Sequence, residues 1–219
     1  MEQSDLYVIS TGDHRAKILE RLHKVRRDIK GHICLYPEFS SSLAPLEVDE
    51  NSPEIVRTMA QAAALFNVGP MAAVAGAISQ DICDYISPMS PDILIENGGD
   101  IFIRSTRDRI VGLLPHPREP VALGVRICRN ETPCAVCSSS ATIGHSLSLG
   151  QGDLVTVRAA SGAVADAAAT ALCNILRTKK SLSRIRKMRN ELENKGITGV
   201  LAQMGHDLMV WGNMELTAI

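Results

Sequence analysis

The hydrophobic period of the chain changes near Asp92, and that change restricts it to a mixed architecture. Upstream, apolar residues recur at helical spacing. Downstream they alternate, as in strands with one face on a core. Asn97-Gly98-Gly99 stands between the strand-like runs 93–96 and 101–105. These residues accept positive φ, so the triplet predicts a hairpin turn with Asn97 to Gly99 at its tip.

On the upstream side, residues 6–10 read as a short strand. Residues 15–34 read as a helix, with Ile18, Leu22, Val25 and Ile29 on one face and Lys17, Arg21, Lys24 and Arg27 on the other. Residues 36–51, with two prolines and three consecutive serines, read as a loop. A second helix opens with Ser52 as cap and Pro53 at its first helical position. Gly69 closes it. Residues 70–86 form an alanine-rich helix in which Gly76 permits close approach of another backbone. Beyond the hairpin, strands are expected at 110–114, 121–128, 135–139, 154–159, 197–204 and 208–211, and helices at 162–177 and 182–194. Blocks of helices and hairpins of this kind predict an α+β fold with a largely antiparallel sheet. The 219 residues suffice for one substantial core and show no linker, so a single domain over 1–219 is expected.

Composition narrows the function. The net charge of −1 offers no global attraction for nucleic acid or anionic membrane, and 3% aromatics leave few stacking platforms. No apolar run is long enough to span a bilayer, and the polar start MEQSDLYVIS does not read as an export signal. A cytoplasmic protein is the expectation. The six cysteines, irregularly spaced, read as reduced thiols.

Four segments could carry chemistry. In ADAAATAL, Asp166 and Thr170 share a helix face one turn apart, where a carboxylate and a hydroxyl can both reach a hard cation such as Mg²⁺. The plain alternative is a core helix whose aspartate complements its own dipole. In VGPMAAVAGA, Gly69 precedes a helix start that could receive a phosphate; a tight inter-helix turn explains it equally well. In ENGGDI the turn explains Asn97, Gly98 and Gly99 but not Asp100. In CSSSATIGHSLSLG, Cys137 and His145 are candidates for a pocket thiol and a proton-transfer group. Cys134-Ala-Val-Cys137, with Cys128 nearby, has a redox or metal spacing, although zinc sites usually show two such pairs.

Taken in order, VGPMAAVAGA, ENGGDI, the serine-rich segment with GHS, and ADAAATAL resemble the ApbE-like superfamily, and most closely a small, uncharacterised branch of it. The resemblance runs from Leu6 to the last strands and implies a T-fold-like α+β domain. It implies FAD held with Mg²⁺, and FMN passed to a protein acceptor or other action at the FAD pyrophosphate. Carried over residue by residue, it assigns the metal to Asp166 and Thr170. It maps the nucleotide turn onto Gly98, Gly99 and Asp100, with main-chain participation near Gly69; Gly69, Asn97 and His145 are expected as further cofactor contacts, and His145 and Cys137 stand as catalytic candidates on their place in the polar segment. Mg²⁺ there would neutralise a pyrophosphate as a phosphoryl bond breaks. The ligand expected is a small nucleotide, not nucleic acid, with the protein acceptor and any homo-oligomer left open.

One departure separates this chain from the transferase pattern. There the histidine is followed by Asp-Pro-Arg-Thr-Gly; here His145 is followed by SLSLG. The alternative to an enzyme is therefore a non-catalytic nucleotide-binding or assembly module on the same fold. The basic stretch 177–189 reads as a solvated helix face, or a surface for an acidic partner.

Overall fold

The computed structural model describes residues 4–113, 123–140 and 153–219. In chain order it contains β1 (Leu6–Ser10), α1 (Arg15–Leu35), α2 (Glu54–Phe66), α3 (Val74–Ile86), β2 (Ile93–Asn97), β3 (Asp100–Arg104), β4 (Arg109–Leu113) and β5 (Leu123–Ile127). These are followed by β6 (Cys134–Ser139), β7 (Leu154–Ala159), α4 (Gly162–Ile175), α5 (Lys179–Lys187), α6 (Arg189–Asn194), β8 (Ile197–Met204), β9 (Asp207–Gly212) and β10 (Glu215–Ala218). The expected α+β fold is the observed one.

The strands form a seven-stranded sheet in the order β1-β2-β3-β6-β7-β8-β9 and a three-stranded sheet in the order β10-β5-β4. Every described pairing is antiparallel. Alternation along the strands divides the interior into two layers. Ile93, Ile95, Phe102, Ala135, Val155 and Val157 face the helices. Ile101, Ile103, Cys134, Val136 and Leu154 face the opposite way and meet Val111, Leu113, Val125 and Ile127 of the small sheet.

The β2–β3 hairpin turns on Gly98 and Gly99 alone, at φ 64° and 100°. Asn97 and Asp100 are already paired as strand residues. Two successive positive φ values are what a right-twisted hairpin needs, and glycine meets them without a steric penalty.

The central helix α4 owes its place to small side chains: Ala163, Ala165, Ala167, Ala168 and Ala169 are all buried. Gly162 at its start lies against Gly76 of α3. A Cβ on either residue would overlap the other's carbonyl oxygen. The close approach that Gly76 suggested is thus made to α4.

Several boundaries differ from expectation. Pro53, not Ser52, occupies the N-cap of α2, and no side chain caps there. Residues 70–73 form a 3-10 turn ahead of α3. The helix expected over 182–194 begins earlier, where Thr178 and Ser181 make a capping box, and it breaks at Met188 into α5 and α6. Strand β10 has no counterpart in the sequence reading. No single helix among the described residues is long and apolar enough to cross a membrane.

Candidate functional site

The turn after β2 leaves Asp100 as the first residue of β3, on the helix-facing side with Phe102. Asp166 lies on α4, which packs across that face. The two aspartates are among the few buried acids, at 7% and 8% exposure. The Ser79 hydroxyl holds the Asp100 main chain by donating to its carbonyl oxygen at 3.0 Å. The Asp100 carboxylate accepts from the Ser138 N–H at 3.1 Å.

Asp166 is engaged differently. Its Oδ2 accepts from the Gly76 N–H at 2.9 Å, and the Ala75 N–H also reaches it. Those groups are unsatisfied donors of the first turn of α3, whose own N-cap, Ala73, has no capping side chain. An aspartate of one helix therefore caps another. At the same junction Gln80 Oε1 accepts from Gly162 N–H at 2.7 Å, and the Asn97 amide donates to the Ala75 carbonyl at 3.4 Å.

Burial dominates the electrostatics. It pushes the Asp166 carboxyl up to about 7, against the pull of the Gly76 and Ala75 N–H groups. It raises Asp100 well above the ordinary carboxyl range, and the charge of Asp166 adds to the rise. The two groups sense each other, so both do not ionise comfortably in this low-dielectric setting.

Cys137 completes the cluster. It is fully buried, donates to the Gly162 carbonyl at 3.7 Å and hydrogen-bonds the Asp100 side chain. Burial first, then the negative charges of Asp100 and Asp166, raise its thiol well above the usual value. Ser139 follows on the same face of β6. Its hydroxyl is buried and has no hydrogen-bond partner among the described residues.

The remaining candidates fall as follows. Thr170 is half-buried, one turn along α4 from Asp166. Gly69 precedes the 3-10 turn and is packed on the backbone of the 36–51 loop, where a Cβ would overlap the Ser42 carbonyl oxygen. Gly98 and Gly99 line a cleft on the other side of the large sheet, together with Ser138 and Ser140. His145 lies outside the described residues.

The redox or metal reading of Cys134 and Cys137 is corrected. Three positions apart on a strand, they point to opposite faces. Cys134 sits between the sheets, 3.8 Å from Arg158. Cys137 sits beneath α4. Among the described residues no cluster of three or more histidine, cysteine or acidic side chains could hold a metal. The roles of Ser138, Ser79 and Gln80 had no sequence signal, because each depends on which strands and helices become neighbours.

The comparisons with known proteins agree with this architecture. A family model described as AbpE bacteria matches residues 1–210. The chain belongs to that family. A UPF0280 protein of Methanocaldococcus jannaschii is 43% identical over 164 residues, covering 74% of this chain and 66% of that protein. The chain thus spans just under two thirds of that relative's length. A UPF0280 protein of Methanocella arvoryzae is 32% identical over 218 residues, covering 98% and 87%. Among solved structures, the ApbE protein of Thermotoga maritima superposes with a TM-score of 0.63 at 13% identity, over 92% of this chain and 91% of that one. A variant of the flavin transferase ApbE from Vibrio cholerae gives 0.59 at 11% identity, over 96% and 94%. At such identities the likeness establishes the fold, and the resemblance read from the four sequence segments is that of this AbpE family.

Proposed function

We propose that this AbpE-family chain binds a flavin or another pyrophosphate nucleotide with Mg²⁺ at the Asp100–Asp166 end of its helix–sheet junction, and acts at the pyrophosphate. The observation that carries the reading is the buried carboxyl pair. Two mutually repelling acids in a dry site are costly unless protonated or neutralised by a cation. Two carboxylates, the Thr170 hydroxyl and main-chain oxygens are hard donors of the kind Mg²⁺ takes. Fewer than three acidic ligands suits an ion that usually completes its shell with water and substrate phosphate. The Ser139 hydroxyl, buried and without a partner among the described residues, leaves a further polar group for a ligand.

In this reading the bound cation supplies charge neutralisation at the pyrophosphate. Asp166 holds the cation while remaining anchored to Gly76, so its position is fixed by α3. Asp100 is held by Ser138 and Ser79, and orients the nucleotide beside the turn. Cys137 packs beneath the pair; its burial and raised pKa suit a supporting role better than a nucleophile. His145 retains the proton-transfer role read from its polar segment. The structural neighbours named flavin transferases support flavin as the nucleotide.

A second reading, a binding module without transfer chemistry, is favoured by one observation. The run that follows the histidine in transferases is replaced here by SLSLG. Calorimetric titration with FAD, with and without Mg²⁺, tests the shared binding step. Equal affinity in both conditions would sink the proposal. Release of AMP from FAD would then separate the enzyme from the module.

A further inference from the structure

Helix α5 and its flanks concentrate positive charge. Residues 177–189 carry seven lysines and arginines and no carboxylate, in a chain whose net charge is −1. The helix is amphipathic. Leu182 and Ile185 enter the helix-side core against β9, which leaves Lys180, Arg184, Arg186 and Lys187 exposed. Among the described residues, ion pairs engage the two ends of the stretch: Lys179 with Asp207 at 2.6 Å and Arg189 with Glu193 at 2.8 Å. In between, Lys180 and Arg184, then Arg184 and Lys187, stand one turn apart on the helix. Like charges at that spacing destabilise a helix, and a carboxylate-rich surface laid on this face would offset the repulsion.

The same chain carries the complement. Residues 36–56 contain Glu38, Glu47, Asp49, Glu50 and Glu54 and no lysine, arginine or histidine, and all five acids are exposed. Leu35, Tyr36 and Leu43 stand in or beside this segment with 76%, 48% and 63% of their surface open. The segment is tied to α1, where Phe39 packs edge-on against the His32 ring at 4.8 Å. Helix α1 borders β1: its Ile18, Leu19 and Leu22 line one groove with Leu6 and Val8. Helix α5 packs on β9, and β1 and β9 are the two edges of the large sheet. The basic and acidic stretches are therefore anchored at opposite ends of the helical layer, and both lie wholly within the described residues. The undescribed residues add only two carboxylates, Glu2 and Glu119, so they do not cancel the separation of charge.

We infer that the basic face of α5 docks on the acidic segment 38–54 of a second copy of this chain, and that two such contacts close a dimer. With base and acid at opposite ends of one layer, a two-fold axis through the middle of that layer brings each stretch onto its complement in the other copy. The contact is then made twice, and neither patch is left over to propagate the assembly. Carboxylates meet guanidinium and ammonium groups, which sets the register. The long lysine and arginine stems cover Leu35 and Leu43, and arginine planes stack on Tyr36. A nucleic acid fits this surface less well, because the chain outside 177–189 is net negative and repels a polyanion. The inference does not depend on the nucleotide reading.

Sedimentation of the full chain reads the assembly. A dimer is expected at about 0.05 M NaCl, with association weakened about tenfold or more at about 0.5 M, where surface charges are screened. Two charge-reversed proteins follow, Arg184→Glu with Lys187→Glu, and separately Glu47→Lys with Glu50→Lys. Each is expected to weaken association by about a hundredfold or more, because like charges then face each other. Mixed in equal amounts, the two reversed proteins regain complementarity at both contacts and should form a heterodimer with near wild-type affinity. Circular dichroism and the unfolding midpoint check that each is folded. A wild type that stays monomeric at both salt concentrations, a dimer that either reversal leaves intact, or a mixture that fails to associate overturns the inference. A DNA duplex serves as the competing probe. Monomeric wild-type protein that binds it, with binding lost in the Arg184→Glu, Lys187→Glu protein, would assign the helix to phosphate backbones and overturn self-association.

Discussion

Asp166 accepts a hydrogen bond from the Gly76 N–H at 2.9 Å, so a side chain of α4 closes the open N-terminus of α3. A capping carboxylate stabilises a helix end by about 0.5–2 kcal/mol. Asp166→Ala should lower stability by an amount in that range and abolish Mg²⁺-dependent gain in FAD affinity. Asp166→Asn keeps an acceptor and should recover most of the stability but not the Mg²⁺ dependence. Thermal unfolding and calorimetry on the same samples read the two effects separately. Full Mg²⁺ dependence in the asparagine variant would contradict the metal assignment.

Asp100 is predicted to behave oppositely. It is buried beside Asp166, and its ionised form is disfavoured by desolvation and by that neighbour's charge. Asp100→Asn should therefore leave the metal-free protein equally or more stable at pH 8 while weakening Mg²⁺-dependent nucleotide binding about tenfold or more. A marked loss of stability with intact binding would assign Asp100 a purely structural role.

Gly76 and Gly162 are predicted to tolerate no side chain. A Cβ at Gly76 would overlap the Gly162 carbonyl and come within 2.9 Å of the Asp166 Cβ. Gly76→Ala should cost roughly 1–3 kcal/mol, the usual penalty of overpacking, by forcing α3 and α4 apart. The chemical-denaturation midpoint measures it. Gly98→Ala, which meets nothing within 4 Å but carries φ 64°, should cost less, about 1 kcal/mol.

Asp92 sets an acid limit. Hydrogen bonds from the Thr106 hydroxyl and N–H, then from Ser105, hold its carboxyl down at about 2, against an ordinary value of 3.8. The native state then binds fewer protons than the unfolded chain. Its stabilisation is complete above the unfolded value and is lost as pH falls from about 4 toward 2. Asp92→Asn should flatten the pH dependence of the unfolding midpoint in that window. An unchanged slope would show that other carboxyls govern acid unfolding.

Covalent flavin transfer to a threonine-containing acceptor peptide is expected to be weak or absent. The groups that follow the histidine in transferases are missing after His145. Loss of such positioning costs on the order of a hundredfold in rate. In-gel flavin fluorescence after denaturation is the readout. Robust labelling that depends on Asp166 would make the protein a working transferase.

The sequence by itself determined the local conformations and the family. Period-two runs around Asn97-Gly98-Gly99 specify a hairpin because only certain residues accept the φ values of its turn. The alanines of ADAAATAL specify a helix that others can approach closely. Boundaries were less legible: the break at Met188 lies inside an apolar pattern that runs through both α5 and α6, and β10 is a short strand at a sheet edge. Only the tertiary structure decided which chemistry-bearing groups meet. Spacing placed Cys134 and Cys137 together, whereas strand alternation sends them to opposite faces. Spacing also gave Asp166 to its own helix, whereas packing turns it to the N-terminus of α3. The coupling of Asp100 to Asp166 spans β3 and α4, 66 residues apart in the chain. A contact of that range is set by how sheet and helices pack, because local propensity acts only over a few turns of chain.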